Sequence, residues 1–206
     1  MQLTNLAAFL FSAITLTSAA ALPNPITADT IVQDVENIHH GVLANTAATE
    51  AYEGGDLKTT IVQGAPVRVH KREKPNLSIL TNQPQEFATV AAIHLANRKG
   101  FVDANLAPQF NEADTRKIFN TVVDTVGESI PADIDVLISK YDNFKDSGLA
   151  PVVLSGLKLL IYDHDTFSAA VEAKAYMGNA ALTAEGVAVV AKIHDAIQRG
   201  IDVYSA

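Results

Sequence analysis

The chain has 206 residues and no cysteine, and its 23 acidic residues against 15 basic ones give a formal net charge of −8. This charge argues against a nucleic-acid partner, because binding to the phosphate backbone requires a basic face. The lack of cysteine excludes the small disulfide-framed secreted proteins, so an exported chain of this kind depends on its hydrophobic core. Charged residues make up 18% of the chain and hydrophobic residues 48%, a balance that favours an exposed apolar patch.

The first 21 residues have the pattern of an export signal. Residues 6–16 are apolar and uncharged, and this stretch is shorter than the roughly 20 residues that span a bilayer. Small residues follow at 18–21, as at a cleavage site, although residues 1–5 contain no Lys or Arg. We therefore predict a signal peptide at 1–21 and one domain at 22–206, with a buried N-terminal helix as the alternative. No second long apolar run follows, so we expect no transmembrane segment.

The first part of the predicted domain is helical. Apolar residues recur at spacings of four and three over 29–53, which predicts one amphipathic helix. Gly54 and Gly55 are the expected stop, because glycine tolerates the left-handed conformation at a helix end. A weaker helix is predicted over 56–63, and the helical pattern returns over 86–102.

The segment 66–89 differs from its surroundings. Residues 67–75 form a basic cluster without helical period, which we interpret as a solvated loop or, alternatively, a surface-binding arm. Residues 76–85 have the pattern of a loop. We therefore interpret 66–89 as an atypical insertion or loop, and Asn76 within it begins the glycosylation acceptor pattern Asn-Leu-Ser.

The second half of the chain contains four further helical patterns. Asn111 is a favourable N-cap with acidic residues in the turn that follows. Gly127 and Pro131 are the expected stop of this helix. Pro131 and Pro151 fit the first turns of the next two helices, where a missing N–H costs little, and Gly148 is a stop between them. Thr183 is a candidate N-cap of the last helix. No segment alternates between apolar and polar residues, so the predicted fold is all-α, an up-and-down antiparallel bundle of five to seven amphipathic helices.

Motifs for catalysis are absent from the sequence. Ser155 lacks the preceding glycine of a nucleophile elbow, and no glycine-rich loop follows a strand pattern. His164, within the triplet Asp163-His164-Asp165, and His194 lie on or beside apolar helix stripes. We interpret both as core or rim histidines bonded to neighbours, with a shared metal ion as the alternative. We therefore predict no enzyme activity, no catalytic residue, no metal and no cofactor.

A distributed set of positions resembles the fungal hydrophobic surface-binding protein A family, which overlaps the cell-wall galactomannoproteins. The resemblance is carried by the run SIPADIDVLISK at 129–140. The other matching positions are Asp34, Val35, Ile38, Tyr52–Gly55, Phe144, Gly148, Leu149, Val153, Leu154, Leu157–Leu160, Asp163, Asp165, Phe167 and Ile197–Tyr204. The resemblance implies a helical bundle without enzyme activity, exported to the cell wall or medium, which adsorbs to hydrophobic surfaces. It implies as partners hydrophobic surfaces or fatty acids, cell-wall polysaccharide, and secreted hydrolases.

One segment departs from the family pattern. That pattern would run almost directly from residues 65–67 into residues 91–94. The intervening stretch is therefore either a genuine insertion or an unspliced intron translated in frame.

Three functions compete on these grounds. The first is a secreted, non-catalytic protein that binds hydrophobic surfaces or lipids at the cell wall or outside the cell. The second, implied by relatives that hold fatty acids, is a carrier with an internal apolar cavity larger than about 300 Å³. The third is a passive wall mannoprotein. The sequence lacks a long Ser/Thr-rich stalk, which argues against a heavily mannosylated role. For a carrier, the candidate lipid-binding residues, which are otherwise ordinary core, are Ile134, Leu137, Ile138, Tyr141, Leu157, Leu160 and Phe167.

Overall fold

Seven helices make up the described part of the protein. The computed structural model describes residues 25–54 and 77–206, with side chains for 25–54 and 88–206. The helices are α1 (Ala28–Glu50), α2 (Leu77–Leu106), α3 (Glu112–Asp124), α4 (Val126–Ser139), α5 (Tyr141–Asp146), α6 (Ala150–Glu172) and α7 (Ala180–Ser205). The predicted all-α fold of five to seven helices is thereby confirmed. The predicted signal peptide, the helix at 56–63 and Asn76 lie outside the described residues. The boundaries of the domain stay predictions.

The five long helices form a closed ring in the order α1, α2, α6, α7, α4. Consecutive long helices along the chain run in opposite directions, as predicted, but the ring also places parallel helices side by side. The α4 and α7 helices are one such pair, since Lys192 meets Glu128 and Arg199 meets Asp135 further along both helices. The short α3 packs against α1, α4 and α7. The ring therefore encloses a space bordered at one end by α3.

A continuous hydrophobic core fills most of the ring. Its most deeply buried large side chains are Ile31, Val42, Ile118, Ile134, Leu149, Ile193 and Ile197. The end of the bundle remote from α3 is closed by aromatic rings. Tyr52 stacks on Phe144 with a centroid distance of 4.5 Å, and the Tyr204 hydroxyl donates to the Leu137 carbonyl at 2.6 Å. We call Tyr52, Phe144, Tyr204 and Tyr141, whose ring packs edge-on against Tyr204, the aromatic end.

Two predicted helix starts and one predicted break are wrong. The break before α4 lies at Thr125, and the predicted stop Gly127 is buried inside α4. A Cβ atom at Gly127 would come within 2.8 Å of Val189, so the glycine permits close packing of α4 on α7. Pro131 is the sixth residue of α4 rather than a first-turn residue. A proline so near a helix start removes a single hydrogen bond, which the packing of α4 on its neighbours tolerates.

The last helix begins earlier than predicted. Asn179 is its N-cap, and its side-chain oxygen accepts from the backbone N–H groups of Ala181 and Leu182 at 3.1 Å. Asn caps a helix at least as well as Thr, so the helix begins after Asn179, the earlier of the two residues in the chain. Thr183 lies inside the first turn and donates to the Asn179 carbonyl at 3.0 Å. The predicted roles of Asn111 as a cap and of Gly148, with φ +74°, at a helix end are confirmed.

The predicted loop at 76–85 is wrong for its described residues. Leu77 begins α2, which continues without interruption through Pro84. One proline removes only the hydrogen bond to the carbonyl four residues earlier, and the rest of this stretch is compatible with a helix. Whether 66–89 is an insertion or a translated intron stays a prediction.

None of the described helices combines the length and the hydropathy needed to cross a bilayer.

Candidate functional site

A cavity of about 430 Å³ lies inside the ring, between α3, α6 and α7, and reaches α1 and α4. Its floor consists of buried apolar side chains that the amphipathic helices turn inward. They include Ile38, Ile118, Ile130, Phe167, Val189 and Ile193. Small-molecule sites in proteins commonly have volumes of about 300–1,000 Å³ and a mainly apolar lining. The cavity therefore has the size and surface of a site for an apolar ligand.

The mouth of the cavity is formed by its solvent-exposed lining residues on α6, on α7 and on the loop that joins them. Met177 and Val187 are 52% and 56% exposed, although both are large and apolar. The carboxylates of Asp165, Glu172 and Asp195 also belong to this mouth. An apolar chain can thus pass from solvent over exposed apolar side chains onto an apolar floor.

His164 is the buried titratable group of the cavity wall. Its Nε2 atom lies 3.1 Å from the carbonyl oxygen of Val190, and a carbonyl can only accept, so Nε2 carries the hydrogen. Burial lowers the pKa of His164, so the ring is neutral near neutral pH. The Nδ1 atom is then an acceptor, and the Ser168 hydroxyl lies 3.5 Å from it. Both ring nitrogens of His164 thus have a neighbour in the wall, and the ring carries no charge.

The second histidine of the cavity lining, His194, is half-buried. Its Nδ1 atom lies 2.9 Å from a carboxylate oxygen of Asp165 on the neighbouring helix. The prediction that His164 and His194 are bonded to neighbours is therefore confirmed. Among the described residues, no three side chains of the His, Asp or Glu type come together as ligands for a metal ion.

The sequence-predicted lipid residues divide between the cavity and the core. Leu160 and Phe167 line the cavity. Ile134, Leu137 and Leu157 are buried in the core outside the lining, and Ile138 and Tyr141 are half-buried against that core. Several of these residues lie toward the aromatic end, whereas the cavity lies toward α3. Lipid contact by the seven residues stays a prediction.

Sequence reasoning missed the lining residues of α3 and α7, among them Phe119, Val122 and Val190. One signal was available. Gly186 lies inside the helical pattern of α7, and glycine in a helix interior is unfavourable unless a neighbour needs the space that a side chain would fill. In the structure a Cβ atom at Gly186 would collide with the Phe119 ring, so the glycine allows α3 to lie against α7 at the cavity.

These features define an all-α bundle with an internal apolar cavity, and known proteins share its fold. The sequence profile of the family described as hydrophobic surface binding protein A matches residues 87–173. The resemblance to that family is therefore confirmed over this segment. The matching positions before residue 87 and after residue 173 lie outside it. No curated protein resembles the chain closely enough in sequence to count as a match.

Several solved structures share this fold. Afmp4p, solved in complex with palmitic acid, has a TM-score of 0.69 at 18% identity and covers 86% of this chain and 99% of its own. Ligand-binding domain 1 of the Penicillium marneffei MP1 protein, solved with arachidonic acids, has a TM-score of 0.65 at 20% identity over 84% of this chain and 95% of its own. Domain 2 of the same protein, also solved with arachidonic acids, has a TM-score of 0.67 at 17% identity over 90% and 99%.

Proposed function

We propose that the protein is a secreted, non-catalytic binder of apolar ligands that takes the aliphatic chain of a lipid into the cavity between α3, α6 and α7. The observation that carries this proposal is the cavity of about 430 Å³ with a buried apolar floor and an exposed apolar rim. This volume exceeds the limit of about 300 Å³ set above for a lipid site. The solved structures of the same fold that hold palmitic and arachidonic acids add support.

The apolar floor is sufficient to drive such binding. Burial of each CH₂ group contributes about 0.8 kcal/mol, so a chain of about ten such groups gains about 8 kcal/mol. Ordering the ligand and losing its free motion offset part of this gain. The expected dissociation constant is therefore in the micromolar range or weaker, since about −8 kcal/mol corresponds to about 1 μM.

Adsorption to hydrophobic surfaces is the second candidate function. Three large apolar side chains on α2 are strongly exposed: Leu95, Val102 and Leu106, at 58%, 47% and 60%. Their spacing of seven and four residues places them on one face of the helix. This face is suited to contact with an apolar surface and does not involve the cavity. Recruitment of hydrolases, binding of wall polysaccharide and a passive wall role stay predictions.

Export belongs to the same proposal. It is supported by the apolar stretch at 6–16 and by the match to the hydrophobic surface binding protein A family. The protein then acts in the extracellular medium or at the cell wall.

Filling part of the cavity is expected to weaken lipid binding. Ser168 lines the cavity and is half-buried, so the ring in Ser168→Phe occupies part of the ligand's space. Calorimetric titration with dodecanol is expected to show at least about tenfold weaker binding, the loss of about 1.4 kcal/mol. The matched control is Ser155→Phe, an exposed position of the same helix outside the cavity, which should bind as the wild type does. Equal affinity of both variants would place the ligand elsewhere.

A further inference from the structure

One sulfur atom lies at the mouth of the cavity. The chain contains no cysteine and two methionines, Met1 and Met177. Met1 belongs to the predicted signal peptide, outside the described residues, whereas Met177 lines the cavity and is 52% exposed. Met177 is therefore the one sulfur-containing side chain in the part of the chain that the structure describes. An exposed thioether of this kind is open to oxidants in the surrounding solution.

The residues on both sides of Met177 are anchored to α3. The backbone N–H of Tyr176 donates to the hydroxyl oxygen of the buried Thr115 at 2.8 Å. The Asn179 amide donates to the Glu112 carboxylate at 2.8 Å, and the Asn179 side-chain oxygen caps α7. These bonds hold the backbone of Met177 beside α3, a helix that itself lines the cavity. An aliphatic chain at the mouth therefore meets the Met177 side chain.

We infer that Met177 is a site of oxidation by hydrogen peroxide and that its sulfoxide lowers the affinity of the cavity for lipid chains. The inference rests on the proposed function, because it concerns the entrance to the same cavity. A lone pair of the sulfur attacks one peroxide oxygen, the O–O bond breaks, and the departing hydroxide takes the proton of the transferred hydroxyl group. The thioether thus loses two electrons to become a sulfoxide, and the peroxide is reduced to water.

Oxidation reverses the character of this part of the mouth. The unoxidised side chain is apolar and flexible, so it can adapt to an aliphatic chain that lies against it. The sulfoxide is polar, and its oxygen is hydrated in the empty protein. An aliphatic chain that covers this oxygen removes its water and donates no hydrogen bond in return, which is costly. Because Met177 is half exposed rather than part of the core, the same oxidation leaves the fold intact.

Calorimetric titration with dodecanol before and after treatment of the secreted protein with hydrogen peroxide tests the inference. Peptide mass spectrometry establishes that Met177 has been converted to the sulfoxide. The oxidised protein is expected to bind dodecanol about tenfold more weakly. Unchanged affinity after full conversion, or a Met177 that resists peroxide at concentrations that oxidise free methionine, overturns the inference and leaves the lipid-binding function standing. A protein that binds no dodecanol before treatment rejects the proposed function and the inference with it.

Two variants separate the position of the sulfur from other effects of peroxide. Met177→Leu has no sulfur at the mouth, so its affinity for dodecanol should be the same before and after treatment. Adding Leu43→Met to that variant moves the sulfur to α1, at a position that is 48% exposed and lies outside the lining. This double variant should be oxidised without a change in affinity. A loss of affinity on treatment of either variant, as large as in the wild type, overturns the role of Met177.

Discussion

Replacing Phe167 by alanine is expected to destabilise the folded protein by about 4 kcal/mol, in the range measured for buried phenylalanines. The side chain of Phe167 is 6% exposed and lines the cavity. It projects from α6 and packs against α2. It lies over Gly100 of α2, where a Cβ atom would approach its Cζ atom to 2.6 Å. Truncation removes this contact and leaves space that adjoins the cavity, so neighbouring side chains can close it only in part. Urea unfolding measures the loss as a shift of the midpoint at unchanged m-value.

The control for this variant is an aromatic residue of the same helix on the solvent side. Tyr162 is 57% exposed, and its ring meets the Arg98 guanidinium at 5.8 Å from the centroid. Tyr162→Ala should cost less than about 1 kcal/mol, because an exposed side chain loses little on truncation. A loss below about 1 kcal/mol for Phe167→Ala as well would show that α6 is not packed on α2 as described.

Replacing Asp133 by asparagine is expected to stabilise the protein near neutral pH. Asp133 lies between α4 and α1, 3% exposed, and accepts hydrogen bonds from the Asn45 amide at 3.1 and 3.2 Å and from the Thr46 hydroxyl at 2.8 Å. No described cationic side chain forms an ion pair with it. Burial outweighs these hydrogen bonds and raises the pKa of Asp133 to about 6. The ionised carboxylate is therefore a cost to the folded state.

Because the pKa of Asp133 is raised in the folded protein, its ionisation makes the stability of the protein depend on pH. The folded protein holds the Asp133 proton more tightly than the unfolded chain, whose pKa is near the ordinary value of 3.8. The resulting stabilisation is fully present below the unfolded pKa and is lost as the pH rises through about 6. Two pKa units correspond to about 3 kcal/mol. Asp133→Asn should thus gain up to about 3 kcal/mol near neutral pH and little near pH 4.

Urea unfolding at the two pH values checks this prediction. Asp135→Asn is the control, because Asp135 is exposed on the same helix and pairs with Arg199 at the surface. That variant should differ from the wild type by less than about 1 kcal/mol at either pH, as surface ion pairs contribute little. Loss of stability in Asp133→Asn near neutral pH would mean that the buried carboxylate is a net stabilising group.

Much of the fold follows from local patterns in the sequence. The apolar spacing of α1 and the cap at Asn111 depend on residues a few positions apart, and both are found as expected. The errors arise where tertiary packing overrides a local preference. Pro131 and Gly127 both have the character of helix breakers, yet α4 contains them because it is packed between α1 and α7.

The cavity could be predicted only in part. That Leu160 and Phe167 face inward follows from the period of α6, and both line the cavity. Where the space lies depends on how α3 sits against α6 and α7, which no local pattern encodes. Ile134 has the same periodicity and burial as a lining residue but packs in the filled part of the core.

Methyl NMR of isoleucine-labelled protein titrated with dodecanol tests the central claim, that a lipid chain binds inside this cavity. Ile38, Ile118, Ile130 and Ile193 line the cavity floor, whereas the other buried isoleucines lie outside it, namely Ile31, Ile93, Ile134, Ile197 and Ile201. We expect shifts and ligand contacts for methyl groups of the first set and no ligand contacts for the second. Ligand contacts confined to the second set, or no change in any buried methyl group, would contradict it.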